Sequence, residues 1–101
     1  MISRKCVKLS KRLENKVIVI TGAAMGLGQA TAVEAAKEGA KLVLVDLNAD
    51  ALEQTKQEIA AKYPNTEILT VVADVSKEDD VRNYVEETVK RFNRIDGFYN
   101  N

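Results

Sequence analysis

The stretch Thr21-Gly22-Ala23-Ala24-Met25-Gly26-Leu27-Gly28 decides the fold of this 101-residue chain. It follows Val17-Ile18-Val19-Ile20, a continuous β-branched run that is typical of a strand buried on both faces. Small residues that favour a helix come next, and Gly39 stands where a glycine commonly ends a helix. The stretch is therefore predicted to be the turn between a buried parallel strand and a helix.

The glycines of this stretch allow a backbone path that other residues resist. Glycine takes positive φ at no steric cost, and the absence of a Cβ leaves room for a phosphate to approach backbone N–H groups. The helix start behind the turn favours negative charge through its unpaired N–H groups and its dipole. We therefore expect Gly22, Gly26 and Gly28 to form a loop that binds the pyrophosphate of a dinucleotide. The alternative is an ordinary strand-to-helix turn without a ligand.

Further apolar segments predict the rest of a sheet. Leu42-Val43-Leu44-Val45 forms a second buried strand, which Asp46 closes. A third strand is expected from Glu67 to Ala73, and the start of a fourth from Ile95 to Asn101. Because helical segments separate these strands, the order β-α-β-α-β-α-β predicts an α/β fold, a doubly wound parallel sheet with helices on both faces.

The two later helices carry start and stop signals. Asn48 is expected to cap the first of them and Pro64 to stop it, whereas Ser76 is expected to cap the second. Both have apolar residues at helical spacing, which predicts one buried face each. The expected stripe of the first helix is Leu52, Thr55, Ile59 and Tyr63. The expected stripe of the second is Val81, Tyr84, Val85, Thr88, Val89 and Phe92.

The charge of the chain is unevenly spread although its net value is zero. Residues 1–13 carry five basic residues and no acid, so residues 14–101 hold the other ten Lys and Arg against all fifteen Asp and Glu. We expect residues 1–13 to be a disordered extension and residues 14–101 to be the folded part. The alternatives for the extension are an organelle-targeting or membrane-surface segment, or an early choice of start codon. A nucleic-acid partner is not expected.

Several chemistries are excluded by composition. The chain has no histidine, which excludes Cys/His zinc sites and catalytic mechanisms that need a histidine base. Cys6 is its only cysteine, so it cannot form an internal disulfide and is expected to be a free thiol. No apolar run approaches the roughly 20 residues that cross a bilayer. We expect no metal site, no membrane partner and a cytoplasmic protein.

Three motifs resemble those of one enzyme family. The stretch from Thr21 to Gly28 resembles the T-G-x-x-x-G-x-G motif of short-chain dehydrogenases/reductases. Asp74-Val75 resembles their D-V dipeptide after the third strand, and Asn100-Asn101 resembles the opening of their N-N-A-G motif. The chain is thus identified as the N-terminal portion of a family member. Residues 94–101 are also similar to levodione-reductase-like and cyclic-alcohol dehydrogenases.

The resemblance implies a partial Rossmann fold with strand order 3-2-1-4 and an oxidoreductase that interconverts a secondary alcohol and a ketone by hydride transfer. It also implies that Asp46 accepts hydrogen bonds from the adenosine ribose and repels a 2′-phosphate. Relatives that prefer NADP usually carry a basic residue where Met25 and Leu47 stand here. Both departures favour NAD. The alternative for Asp46 is a solvated acid at a strand end.

The remaining cofactor contacts are also carried over by resemblance. Asp74 would accept a hydrogen bond from the adenine amino group, with Val75 lining the same pocket, unless Asp74 only caps the turn before the third helix. Leu27 would pack against the cofactor, and Asn101 would lie against the nicotinamide-side ribose. The whole expected set is Gly22, Ala24, Met25, Gly26, Leu27, Gly28, Asp46, Leu47, Asp74, Val75 and Asn101.

No catalytic residue is expected within the chain. The resemblance implies a Tyr-x-x-x-Lys pair, a serine and an asparagine on a later helix. Tyr63 and Tyr84 have no lysine four residues on, and Tyr99 stands two residues from the end. We therefore expect a truncated gene product, a gene fragment or a partial gene model. The alternatives are a nucleotide-binding module without catalysis and a product without function; substrate and oligomeric state stay open.

Overall fold

The computed structural model describes residues 13–100, which form one parallel sheet with helices on both faces. The predictions for residues 1–12, including Cys6, and for Asn101 lie outside the described residues. The elements are β1 (Val17–Thr21), α1 (Gly26–Lys37), β2 (Lys41–Asp46), α2 (Ala49–Lys62), β3 (Ile68–Val72), α3 (Glu78–Phe92) and β4 (Gly97–Tyr99).

The strand order is β3-β2-β1-β4 and every neighbouring pair is parallel. This confirms the predicted α/β fold and its order 3-2-1-4. The third and fourth strands are shorter than expected, since β3 covers Ile68–Val72 and β4 covers only Gly97–Tyr99. With all strands parallel, the carboxyl ends of β1, β2 and β3 lie at one edge of the sheet, and the loops that follow them meet there.

Two apolar clusters hold the layers together, because alternate side chains of each strand point to opposite faces. One cluster joins the sheet to α1 and α2, and the other joins it to α3. The first includes Ile20, Ala32, Leu42, Leu44, Leu52 and Ile59. The second includes Val17, Val19, Val43, Val45, Val71 and Tyr84. Each fully buried aliphatic side chain contributes roughly 1.5–3 kcal/mol, so the central strands carry most of the stability.

The ends of α2 confirm the sequence prediction. The Asn48 side chain accepts a hydrogen bond from the Ala51 N–H at 3.0 Å, and the helix ends at Lys62, before Pro64. Among the predicted stripe residues, Thr55 and Ile59 are fully buried. The side chains that face the sheet are thus those expected from the spacing.

The predicted cap of α3 is wrong. The helix begins after Lys77, and the Ser76 hydroxyl and N–H both donate to Asp74 Oδ1, at 2.6 and 2.9 Å. The Lys77 N–H also donates to the Asp74 carbonyl oxygen at 3.0 Å, so residues 74–77 form a turn and the helix begins one residue later than predicted. Val89 also departs from its predicted burial, being 44% exposed. The packed face of α3 is therefore narrower than its apolar stripe.

Asp96 joins the start of β4 to β1, and we expect its contacts to make the stability of the chain depend on pH. Its carboxylate accepts hydrogen bonds from Val17 N–H at 2.8 Å and from the Arg94 guanidinium at 2.6 and 2.8 Å. The Arg94 side-chain bond, followed by the Val17 bond, holds the pKa of Asp96 below its ordinary value of 3.8. The stabilisation is therefore fully present above that ordinary value and is lost as pH falls through the lower folded-state pKa.

We expect the free energy of unfolding to fall between about pH 5 and about pH 2, and to fall less in Asp96→Asn, which cannot titrate. Urea denaturation at a series of pH values measures this. Glu86→Gln removes an exposed carboxylate from α3 and serves as the control for charge. An identical acid slope in wild type and Asp96→Asn would contradict the assignment.

Candidate functional site

The segments singled out in the sequence meet at the carboxyl edge of the sheet. Ala24, in the loop after β1, donates its N–H to Asp46 Oδ2 at 3.0 Å. Ala73, after β3, donates its N–H to the Asp46 carbonyl oxygen at 3.1 Å. Asp46 at the end of β2 therefore links the loops that follow β1 and β3 into one surface.

The glycine loop uses its three glycines in two different ways. Gly22 and Gly26 each have φ of 64°, in the left-handed region that side chains resist. At Gly26 a Cβ would meet no heavy atom within 4 Å, so the space in front of it is open. At Gly28 a Cβ would overlap the Gly22 carbonyl oxygen and lie 2.7 Å from its carbonyl carbon. The missing side chain of Gly28 thus makes room for the loop's own backbone.

The start of α1 carries no compensating negative charge. Met25 precedes it and makes no side-chain cap, and its first turn contains no acid. By contrast, the Asn48 side chain caps α2, and α3 has three acids in its first turn. Among the helices of residues 13–100, α1 alone therefore begins with neither a side-chain cap nor an acid. Its N–H groups and dipole favour an anion at that place.

The Asp46 side chain is oriented before any ligand arrives. Oδ2 accepts from Ala24 N–H, as noted above, and Oδ1 accepts from Asn48 N–H at 3.0 Å. A carboxylate oxygen can accept a second hydrogen bond, so each retains capacity for a ligand hydroxyl. The residue is partly exposed, which leaves that capacity accessible. This geometry suits the acceptor role that the sequence predicts, and it differs from a freely solvated acid.

Asp74 performs the turn role that was weighed as its alternative. It accepts both hydrogen bonds from Ser76, and these bonds lower the pKa of its carboxyl group. Its own N–H donates to Asp80 Oδ2 at 2.8 Å, which fixes the backbone at the end of β3. Asp74 is thus ionised at neutral pH and held in place. Its contact with an adenine amino group stays a prediction.

Large apolar side chains are exposed around these polar groups. Met25 and Leu27 beside the glycine loop are 63% and 68% exposed, and Leu47 after β2 is 66% exposed. Val75, after β3, is 49% exposed. Since they follow strands that end at one edge, they border the same surface, where flat aromatic rings can cover them. Val72 is also exposed, at 55%, and the sequence did not single it out.

One contact to the loop comes from a residue that the sequence placed only in the core. The Thr55 hydroxyl, fully buried on α2, lies 3.3 Å from the Ala24 carbonyl oxygen. The only signal in the sequence was a hydroxyl at an otherwise apolar position of a helical stripe. Thr21 at the end of β1 also reaches β4, since its hydroxyl lies 3.4 Å from the Tyr99 carbonyl oxygen and 3.5 Å from Asn100 Oδ1.

Two of the three described tyrosines, Tyr63 and Tyr84, lie away from this edge, whereas Tyr99 ends β4 beside Ile20 of β1. Tyr84 is buried under the sheet on α3, and Tyr63 follows the last turn of α2, at the opposite end from the glycine loop. Residues 13–100 contain no cluster of three or more side chains suited to a metal ion. No helix in that same range is long and apolar enough to span a bilayer.

Comparison with known proteins points to one family. The profile of the family described as short chain dehydrogenase matches residues 16–101. Levodione reductase of Leifsonia aquatica is 52% identical over 90 residues, which are 89% of this chain and 34% of that protein.

Solved structures agree with the sequence comparison. The crystal structure of levodione reductase superposes with a TM-score of 0.84 over 86% of this chain and 34% of that one. A short-chain dehydrogenase/reductase from Burkholderia phymatum in complex with NAD superposes with a TM-score of 0.81 at 33% identity, over 86% of this chain and 30% of that one. The chain therefore spans about a third of the length of these relatives.

Proposed function

Because the chain belongs to the short-chain dehydrogenase family, we propose that residues 14–101 bind the adenosine and pyrophosphate parts of a nicotinamide dinucleotide, with NAD(H) favoured. The observation that carries this proposal is the start of α1, which lacks both a side-chain cap and an acid and stands directly behind the glycine loop. An anion bound there would accept hydrogen bonds from the first N–H groups of α1, and the open space in front of Gly26 leaves room for it.

Each part of the cofactor has residues suited to it. Backbone N–H groups at the start of α1, from Gly26 to Gly28, and the α1 dipole would hold the pyrophosphate, and Asp46 would accept the adenosine ribose hydroxyls. Asp74 would accept from the adenine amino group. The exposed side chains of Met25, Leu27, Leu47 and Val75 would cover the rings and exclude water. Asn101 would lie at the nicotinamide-side ribose.

The preference for NAD(H) rests on charge. The Asp46 carboxylate would stand close to a 2′-phosphate and repel it. Met25 and Leu47, which border the same place, supply no positive charge to offset that repulsion. A ribose hydroxyl, by contrast, donates to the carboxylate. NAD(H) is therefore favoured over NADP(H).

For the longer protein of which such a chain would form the first part, we propose NAD-dependent interconversion of a secondary alcohol and a ketone. When bound, the nicotinamide ring supplies or accepts the hydride. The residues of this chain hold and orient the dinucleotide, and the 52% identity to levodione reductase supports a carbonyl substrate. A second candidate is nucleotide binding without catalysis, which the absence of a Tyr-x-x-x-Lys sequence from the 101 residues favours for the chain by itself.

Titration of the purified 101-residue chain with NADH tests the proposal. We expect a saturable increase in NADH fluorescence that NAD+ and ADP-ribose reverse, because both carry the pyrophosphate and the adenosine ribose. Circular dichroism on the same sample establishes that the chain is folded. A folded chain that gives no saturable signal at millimolar NADH would overturn the proposal.

A further inference from the structure

Both backbone groups of Ala24, in the middle of the glycine loop, are held by side chains from different elements. Its N–H donates to Asp46 Oδ2 at 3.0 Å, at the end of β2. Its carbonyl oxygen accepts from Thr55 Oγ1 at 3.3 Å, in the second turn of α2. Ala24 is 6% exposed and Thr55 is fully buried, so water does not replace these partners. The loop is thus fixed relative to both β2 and α2.

We propose that Thr55 is a positioning residue for dinucleotide binding, acting through Ala24 to hold the glycine loop in the shape that receives the pyrophosphate. The inference rests on the proposed function and assigns a role to a buried residue of α2. Thr55 is not expected to touch the ligand. Its effect is to reduce the loop movement that binding would otherwise have to suppress.

The buried hydroxyl of Thr55 also has a purely structural explanation, which the test must distinguish from a role in positioning the loop. A threonine within a helix often donates to the carbonyl four residues earlier, and Thr55 Oγ1 also lies 3.2 Å from the Ala51 carbonyl oxygen. One hydroxyl proton then serves two acceptors. The Ala51 carbonyl has the ordinary helix bond as a further partner, whereas the Ala24 carbonyl lies outside any helix. Removing the Thr55 hydroxyl therefore mainly affects the glycine loop, which loses its hydrogen bond at the Ala24 carbonyl oxygen.

The chain offers a matched control for this distinction. Thr88 on α3 is also fully buried and donates to the carbonyl four residues earlier, that of Tyr84, at 2.7 Å. It lies on the opposite face of the sheet from α1 and α2. Thr88→Val removes the same hydroxyl from the same helical environment without a link to the glycine loop. Any difference between Thr55→Val and Thr88→Val reports the loop contact.

The test compares Thr55→Val, Thr55→Ser and Thr88→Val in the full chain, with NADH fluorescence titration and displacement of NADH by ADP or by adenosine. We expect Thr55→Val to weaken NADH and ADP binding about three- to tenfold, the effect of one lost hydrogen bond. Adenosine, which lacks the pyrophosphate, should keep its affinity within about twofold. Thr55→Ser should restore the wild-type values. Thr88→Val should lower stability to urea and leave all affinities unchanged.

Each result decides between the two explanations. If Thr55→Val binds NADH and ADP as Thr88→Val does, the positioning role is overturned and only the helix bond remains. If Thr55→Val does not fold, Thr55→Cys, which retains the shape with a weaker donor, takes its place, and wild-type affinity for ADP in that variant overturns the role equally. Failure of the wild type to bind NADH overturns the proposed function itself.

Discussion

Replacement of Gly28 by alanine is expected to destabilise the chain by about 3 kcal/mol and to weaken NADH binding at least about tenfold. The new Cβ would overlap the Gly22 carbonyl oxygen and lie 3.2 Å from Ala23 Cα. All the atoms that it meets belong to backbone, so no side-chain rotation relieves the overlap. Alanine within a helix is otherwise favoured over glycine by roughly 0.5–1 kcal/mol. A decrease in stability would therefore show that residue 28 lies too close to the Gly22 carbonyl for a side chain. Urea denaturation and NADH titration measure both changes.

Gly39→Ala is the control for this variant, and Gly26→Ala shows the effect of backbone strain alone within the same loop. Gly26→Ala meets no neighbouring atom but must adopt φ of 64°, which costs roughly 1–2 kcal/mol. Gly39→Ala is strained as well, with φ of 89° and Glu14 Cα at 3.1 Å, but it lies at the far end of α1. We expect it to lower stability while the folded fraction keeps its affinity for NADH. Wild-type binding by folded Gly28→Ala would contradict the loop geometry.

Removal of the Asp46 charge is expected to shift the ratio of NADH to NADPH affinity at least about tenfold towards NADPH. Two unit charges about 4 Å apart repel by about 1 kcal/mol in water and about 4 kcal/mol near a protein surface, and a phosphate carries more than one charge. Asp46→Asn keeps an oxygen acceptor while removing the charge. Asp46→Ala also frees the Ala24 N–H, so it should weaken both cofactors as well as change their ratio.

The control for this second variant is Asp50→Asn, which makes the same charge change on an exposed residue in the first turn of α2. Its cofactor ratio should stay near that of the wild type. Competition titrations with NADH and NADPH at fixed ionic strength measure all four proteins. Tighter NADPH binding by the wild type, or a ratio that Asp46→Asn leaves unchanged, would contradict the role given to Asp46.

The buried strands and the position of the glycine loop could be predicted because each rests on a strong local pattern, whereas the strand order 3-2-1-4 followed from the resemblance to the family. Runs such as Val17-Ile18-Val19-Ile20 occur where both faces of a strand are covered, and these residues are indeed buried or nearly so. The positive φ of Gly22 and Gly26 follows from the turn that joins such a strand to a helix. Asn48 caps its helix through a local contact of three residues.

The remaining features could not be predicted because they depend on which partners the fold brings together. Ser76 had the sequence position of a cap, but the turn that Asp74 closes moves the helix start one residue beyond it. The neighbour of Gly28 is the Gly22 carbonyl, which becomes visible only when the loop closes on the helix. Thr55 lies 31 residues from Ala24 in sequence, and no spacing rule links them. Contacts between residues far apart in sequence, such as that of Thr55 with Ala24, are therefore known only from the structure.

The most direct test of the central claim is an amide chemical-shift map of the ¹⁵N-labelled chain titrated with NAD+. We expect saturable shifts concentrated at the carboxyl edge of the sheet, from Gly22 to Gly28, at Asp46 and Leu47, and at Asp74 and Val75. The opposite end, where a cavity is lined by Glu14, Lys41, Tyr63 and Pro64 among others, should remain unperturbed. Shifts confined to that opposite end, or none at saturating NAD+, would contradict the account.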